Sequence, residues 1–325
     1  MNHAGFVRNI PVMFQETQSS VALNGSRDRA VSSGERSAIA HTACGPIEYA
    51  EQGEGPVVLA MHGTPGGYDQ ISALGSEVSA AGFRIVGWSR PGYLRTPISA
   101  GRTIEEQADA GARLLDALGH DRVAIYGASG GGPSAIQFAL RHPDRVWALV
   151  LECAISGRFV VPRAVVISYW LLYYNAILGL QRRLIKNRRR SAIKMFVAGD
   201  GSLDPKEVER MIDTVSTDPD RLRILDQLVA VMMPPSHRRI GTENDMRQFG
   251  AIEPMELERI NCPSLIIHGT ADADVPFSHG EHSARSIPGA EFYPIRGGVH
   301  LLWITDEAPQ IRDRKIAFLQ QHSPA

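Results

Sequence analysis

Cysteine is scarce: only Cys44, Cys153 and Cys262 occur in 325 residues, an odd number with no C-x-x-C spacing. That excludes a disulfide framework and a zinc knuckle, and it fits a reducing, cytoplasmic location. A charge excess is also missing, because 34 Lys and Arg face 35 Asp and Glu for a net charge of −1. Such balance gives no global pull toward nucleic acid or an anionic membrane, so no nucleic-acid partner is expected. The first 35 residues hold no apolar run longer than three, such as Val21-Ala22-Leu23. A secretory signal needs a contiguous apolar core of about 7–15, so export by that route is not expected. No Gly-X-Y period, heptad run or internal repeat occurs, which excludes collagen and coiled coil.

What is present is ample apolar content, 43% of the chain, so wholesale disorder is excluded. The length suggests two domains, or one large core with a sizeable insertion. Residues 1–43 read as an N-terminal extension, Ser-, Gly-, Asn- and Arg-rich over 17–38, either mobile or laid along the outside of the core. From residue 46 the pattern becomes strand, turn, helix. Pro56–Met61 is a short apolar run feeding His62-Gly63-Thr64-Pro65-Gly66, and Phe83–Trp88 is closed by Ser89-Arg90-Pro91-Gly92. Thr103-Ile104-Glu105-Glu106 is a capping box opening a helix that Gly119 stops. Arg122–Tyr126 runs into Gly127-Ala128-Ser129-Gly130-Gly131-Gly132, then come a helix over Pro133–Arg141 and a strand over Val146–Leu151. Alternating β and α with apolar strands implies an α/β fold, a mostly parallel doubly wound sheet covered on both faces. Residues 156–255 look helical and break the rhythm, which returns at Ser264–His268, Glu291–Ile295 and a last helix near 309–321. The expected organisation is therefore a core of 44–155 and 256–325 with an inserted helical cap or lid at 156–255.

Gly127-Ala128-Ser129-Gly130-Gly131 fits G-x-S-x-G between a predicted strand and helix, the context that the motif requires. A strand turning sharply into a helix strains its middle residue and needs small neighbours on both sides. The serine is then raised above the sheet beside a helix N-terminus, where N–H groups favour developing negative charge. A phosphate-binding loop fits less well, since Pro133 stands where a P-loop Lys belongs and Ser129 replaces the second Gly of G-x-G-x-x-G. A serine hydroxyl is a weak nucleophile alone, so a His and an orienting acid are expected elsewhere. The stretch from His268 to Pro276 puts Asp272 and Asp274 after a strand, and Gly297-Gly298-Val299-His300 puts a His in the loop after the last one. The order Ser, Asp, His is the one used in α/β hydrolases.

At this point the chain resembles the α/β-hydrolase fold superfamily in its capped, serine-nucleophile branch. The resemblance spans roughly 45–155 and 255–321 and rests on five motifs in order: His62 to Gly66, Ser89 to Tyr93, the serine elbow, His268 to Pro276, and Gly297 to His300. It implies Ser129 as nucleophile, His300 as base and Asp272 as acid, with Asp274 as runner-up. It also implies an oxyanion hole from the backbone N–H groups of Thr64 and Gly130. The expected activity is cofactor-free cleavage of a carboxylic ester of an apolar or aromatic small molecule through an acyl-enzyme. Aminopeptidase, lactonase and C–C bond hydrolase are alternatives on the same fold, as is a non-hydrolytic sensor using the capped pocket. Thr64 and Gly130 replace the second Gly and the aromatic that iminopeptidase-type relatives carry, which lowers the peptidase reading.

His62 and His268 read as structural histidines bonding loop backbone. No H-x-x-x-H pairing falls on a predicted helix, so no metal is expected. Arg90 and Tyr93 either line the pocket or hold their own turn, and Cys153 reads as a small buried residue. Ala164–Leu180 is 17 residues without charge, followed by seven basic residues from Arg182 to Lys194 and no acid. The expected role of 164–194 is a lid roofing the pocket, with Tyr169, Trp170, Tyr173 and Tyr174 as pocket-lining candidates and peripheral membrane contact as the alternative.

Overall fold

Every residue of Val57–Met61, Val123–Ala128, Val146–Glu152 and Ser264–Gly269 is buried, the signature of strands covered on both faces. The structure is a computed structural model that describes residues 37–70, 75–161, 189–198, 202–232 and 235–324. Its strands are β1 (Ala38–Thr42), β2 (Gly45–Gln52), β3 (Val57–Met61), β4 (Arg84–Trp88), β5 (Val123–Ala128), β6 (Val146–Glu152), β7 (Ser264–Gly269) and β8 (Glu291–Ile295). They form one sheet in the order β1-β2-β4-β3-β5-β6-β7-β8. β1 and β2 run antiparallel to each other, β2 is antiparallel to β4, and the remaining pairs are parallel.

The described helices are α1 (Ser76–Ala80), α2 (Ile104–Leu118), α3 (Gly132–Arg141), α4 (Arg189–Val197), α5 (Pro205–Thr217), α6 (Pro219–Ala230), α7 (Arg239–Ala251), α8 (Ser278–Ser286) and α9 (Ala308–His322). The period-2 alternation of strand side chains sorts them into two layers. Leu59, Met61, Ile125, Leu149 and Ile266 pack with Leu114 and Leu115 of α2 and Ile136 and Phe138 of α3. Val58, Ala60, Ala124, Val150 and Leu265 pack with Val78 of α1 and Ile311, Phe318 and Leu319 of α9. Truncating any one of these large side chains to Ala would cost about 2–5 kcal/mol. The capping box is realised: the Glu106 N–H donates to Thr103 Oγ1 at 3.2 Å and the Thr103 N–H to Glu106 Oε2 at 3.1 Å. Gly119 ends α2 at φ 75°, where a side chain would be strained.

One boundary differs from expectation. An extension ending at residue 43 overruns the sheet, because 38–42 is strand β1, in register with β2 from Ala38 opposite Tyr49 to Thr42 opposite Gly45. β1 is an edge strand with only Ala40 buried, so it lacks the apolar run by which the inner strands are recognised. Residues 1–36 lie outside the described residues.

Between β6 and β7, α4, α5 and α6 share an apolar cluster of Ile193, Val197, Ile212, Val215, Leu225 and Leu228, which reaches Leu301 and Ile304 beyond β8. The Asp204 and Asp218 carboxylates cap α5 and α6 by accepting backbone N–H groups. Of the basic stretch, Arg190 pairs with Glu209 at 3.0 Å and Asp213 at 2.5 Å on α5. Residues 162–188 lie outside the described residues, and with them Tyr169, Trp170, Tyr173 and Tyr174. Among the described residues no helix is long and apolar enough to cross a membrane.

Candidate active site

Ser129 follows β5 with φ 49°, a left-handed conformation that non-glycine residues adopt at a cost. The turn closes so tightly that its glycines have no room for a side chain. A Cβ on Gly127 would come within 2.6 Å of the Ala135 Cβ, and one on Gly131 would collide with the Met61 carbonyl. The strain lifts Ser129 clear of the strand, with α3 starting three residues later at Gly132.

The loops after β7 and β8 bring Asp272 and His300 to this serine. His300 Nε2 is 3.0 Å from Ser129 Oγ, and His300 Nδ1 is 2.8 Å from Asp272 Oδ2. The other Asp272 oxygen accepts the N–H groups of Asp274 and Val275, both at 2.9 Å, so the carboxylate is held from two sides. Asp272 is buried, whereas Asp274 is exposed and supplies its backbone. Burial works against a charged ring at His300, but the charge and hydrogen bond of Asp272 outweigh it and lift His300 from 6.5 to about 9. At Asp272 burial pushes the carboxyl up, and His300 in turn holds it below the usual carboxylate value.

His62 and His268 are both buried and both bond loop backbone. The Arg90 N–H donates to His62 Nε2 at 3.0 Å, so His62 Nδ1 carries the proton and donates to the Gly63 carbonyl at 2.7 Å. Burial, then the Arg90 guanidinium, keeps this ring neutral. His268 Nε2 donates to the Val275 carbonyl at 2.9 Å, pinning the turn that carries Asp272.

Thr64 and Gly130 meet at the corner beside Ser129. A Cβ on Gly130 would collide with Thr64 Oγ1 and come within 2.9 Å of Phe249 Cζ. Phe249 of α7 thus places an aromatic ring against the elbow at Gly130. Arg90 and Tyr93 are buried against the same corner. Arg90 donates through Nη1 and Nη2 to Asp245 Oδ1 and Oδ2 at 2.9 and 2.6 Å, and through Nε to the His62 carbonyl at 3.2 Å. Tyr93 donates its hydroxyl to Asp245 at 2.6 Å. The Ser89 to Tyr93 motif pointed to Arg90 and Tyr93, but nothing local marks Asp245 or Phe249, which sit in a helical stretch without a chemical motif.

A serine raised on an elbow at the carboxyl end of a parallel sheet, with a histidine reaching it from the loop after the last strand, is the arrangement of α/β hydrolases. The chain belongs to the alpha/beta hydrolase fold family, whose family model matches residues 56–307. It is 28% identical over 284 residues to the uncharacterized hydrolase YcgS of Bacillus subtilis, covering 85% of this chain and 95% of that one. It is also 28% identical over 256 residues to a 2-hydroxy-6-oxononadienedioate/2-hydroxy-6-oxononatrienedioate hydrolase of Dechloromonas aromatica, covering 76% and 81%. Among solved structures, an alpha/beta hydrolase fold protein from Nakamurella multipartita superposes with a TM-score of 0.77 at 33% identity, covering 88% of this chain and 99% of that one.

Proposed function

We propose that this hydrolase opens a carbonyl substrate through Ser129, with His300 as base and Asp272 as the acid that orients it. The observation that carries the reading is the 3.0 Å approach of His300 Nε2 to Ser129 Oγ, with Asp272 behind the ring at 2.8 Å. Nε2 takes the hydroxyl proton as the Oγ–carbon bond forms, and the oxyanion is held by the Thr64 and Gly130 N–H groups. The same proton passes to the leaving group as its bond breaks, leaving an acyl-enzyme. Water, deprotonated by His300, then releases the acid and restores Ser129. No cofactor enters this cycle.

The leading substrate class is a carboxylic ester of an apolar or aromatic acid or alcohol. Its support is the apolar cluster of Ile155, Phe249, Ile252 and Val275, with Phe159 packed against it, whose Phe249 ring reaches the elbow. The Dechloromonas relative favours a second reading. A 2-hydroxy-6-oxo diacid contains no ester or amide, so its hydrolysis breaks a carbon–carbon bond next to the ketone. The same triad serves, with the proton delivered to carbon instead of oxygen.

Intact-mass labelling with a fluorophosphonate tests the nucleophile. One adduct on the wild type and none on folded Ser129→Ala is the expected result. A folded wild type that takes no adduct would overturn the reading and favour a ligand sensor. Turnover of p-nitrophenyl esters against a 2-hydroxy-6-oxo dienoate then separates the two substrate classes.

A further inference from the structure

Helix α7 lies within the stretch expected to be a cap, yet its inward face is devoted to the oxyanion corner. Gly241, Asp245 and Phe249 recur every four residues, so they lie along one side of the helix. Gly241 is packed so closely on the Tyr93 ring that a Cβ there would collide with it. Asp245 meets Thr64, Arg90 and Tyr93, and Phe249 meets Gly130. The helix is also tied by backbone, since the Gly241 N–H donates to the Gly92 carbonyl at 2.8 Å and the Phe159 N–H to the Phe249 carbonyl at 2.9 Å.

We infer that Asp245 is a positioning residue for the reaction, holding Thr64 in place so that its backbone N–H is aimed at the developing oxyanion. The inference rests on the serine-hydrolase reading above. Thr64 Oγ1 donates to Asp245 Oδ2 at 2.5 Å and accepts from Arg90 Nη2 at 3.2 Å. A hydroxyl has one proton, and this one is committed to Asp245, so the side chain of Thr64 acts as a tether and leaves the backbone N–H as the donor to the oxyanion. The tether ends on a stiff support. Arg90 and Asp245 have side chains only 1% and 2% exposed, and Asp245 Oδ2 alone accepts from Thr64, Arg90 and Tyr93. Arg90 Nη1 also donates to Gln107 Oε1 at 2.9 Å, which anchors the assembly on α2. A charge-assisted network of this kind fixes geometry to the tolerance that electrostatic stabilisation of a transition state demands.

The test compares Thr64→Val, Thr64→Ser and Asp245→Asn with the wild type and Ser129→Ala, reading fluorophosphonate labelling as kinact and KI separately. Thr64→Val keeps the branched shape and the backbone N–H but removes the tether, so kinact falls on the order of 10²-fold with KI little changed, the size of effect that a 1 Å misplacement brings. Thr64→Ser restores the hydroxyl and recovers most of the rate. Asp245→Asn lowers kinact in the same way wherever melting shows it folded; the two Thr64 variants decide the matter if it does not fold. A folded Thr64→Val with wild-type kinact, alongside an unlabelled Ser129→Ala, would overturn the positioning role and leave the triad standing. Failure of the wild type to label at Ser129 would overturn both.

Discussion

The two ring nitrogens of His300 are both engaged, Nδ1 with Asp272 Oδ2 at 2.8 Å and Nε2 with Ser129 Oγ at 3.0 Å. One ring therefore couples an acid from the turn after β7 to a serine on the turn after β5. The carboxylate behind the ring sets how strongly it holds a proton, and that has a consequence in solution.

Asp272 lifts His300 from 6.5 to about 9, so the neutral ring needed to deprotonate Ser129 is favoured only at alkaline pH. The acid limb of kcat/KM should lie above 6.5, toward 9, rather than near the 6.5 expected of an ordinary histidine. The same shift ties pH to stability. Because the folded value is raised, the stabilisation is full below about 6.5 and is lost as pH rises through about 9. A kcat/KM profile flat from pH 5 to 9 would refute His300 as base.

Asp272→Asn should lower kcat by about 10⁴-fold by freeing the wrong tautomer of the base. Asp274→Asn should cost far less, since Asp274 is exposed and reaches the site through its N–H to Asp272 Oδ1. Steady-state kinetics of the two variants check the ranking, and the reverse order would reassign the acid.

Gly130→Ala introduces a Cβ where Thr64 Oγ1 and the Phe249 ring already stand. The elbow and the Thr64 loop cannot both keep their places, so kcat should fall by about 10²-fold. Activity close to that of the wild type would mean that the corner yields easily. Stopped-flow measurement of the acylation step reads this directly.

Cys153 lies beside the triad, with its sulfur within 4.8 Å of the nearest Asp272 and His300 ligand atoms. Burial, then the Asp272 carboxylate, pushes its thiol well above the ordinary value, so it stays protonated and unreactive. Iodoacetamide at pH 8 followed by peptide mass mapping should modify half-exposed Cys44 and spare Cys153 in the folded protein. Modification of Cys153 under those conditions would contradict the burial.

Much of the fold was legible because its signals are local. β3, β5, β6 and β7 each carry a short, mostly apolar run and are buried throughout, the capping box at Thr103 lies within one turn of helix, and the G-x-S-x-G elbow is dictated by sterics between adjacent residues. The turn from His268 to Pro276 and the loop ending at His300 sit at strand ends, so the sequence alone presents their side chains as a set. β1 is not legible for the opposite reason, since an edge strand with one buried residue carries no apolar run.

The residue types, the strand–helix rhythm and the serine on its elbow were determined by the sequence alone, through backbone sterics and hydrophobic period. Tertiary structure decided which carboxylate faces His300, and it decided that α7 packs against Thr64 and Gly130 beside Ser129. Thr64 and Asp245 are 181 residues apart, and neither has a local pattern that names the other. Their pairing follows from packing: a buried Arg90 must have its charge met, and the folded chain leaves Asp245 in position to meet it.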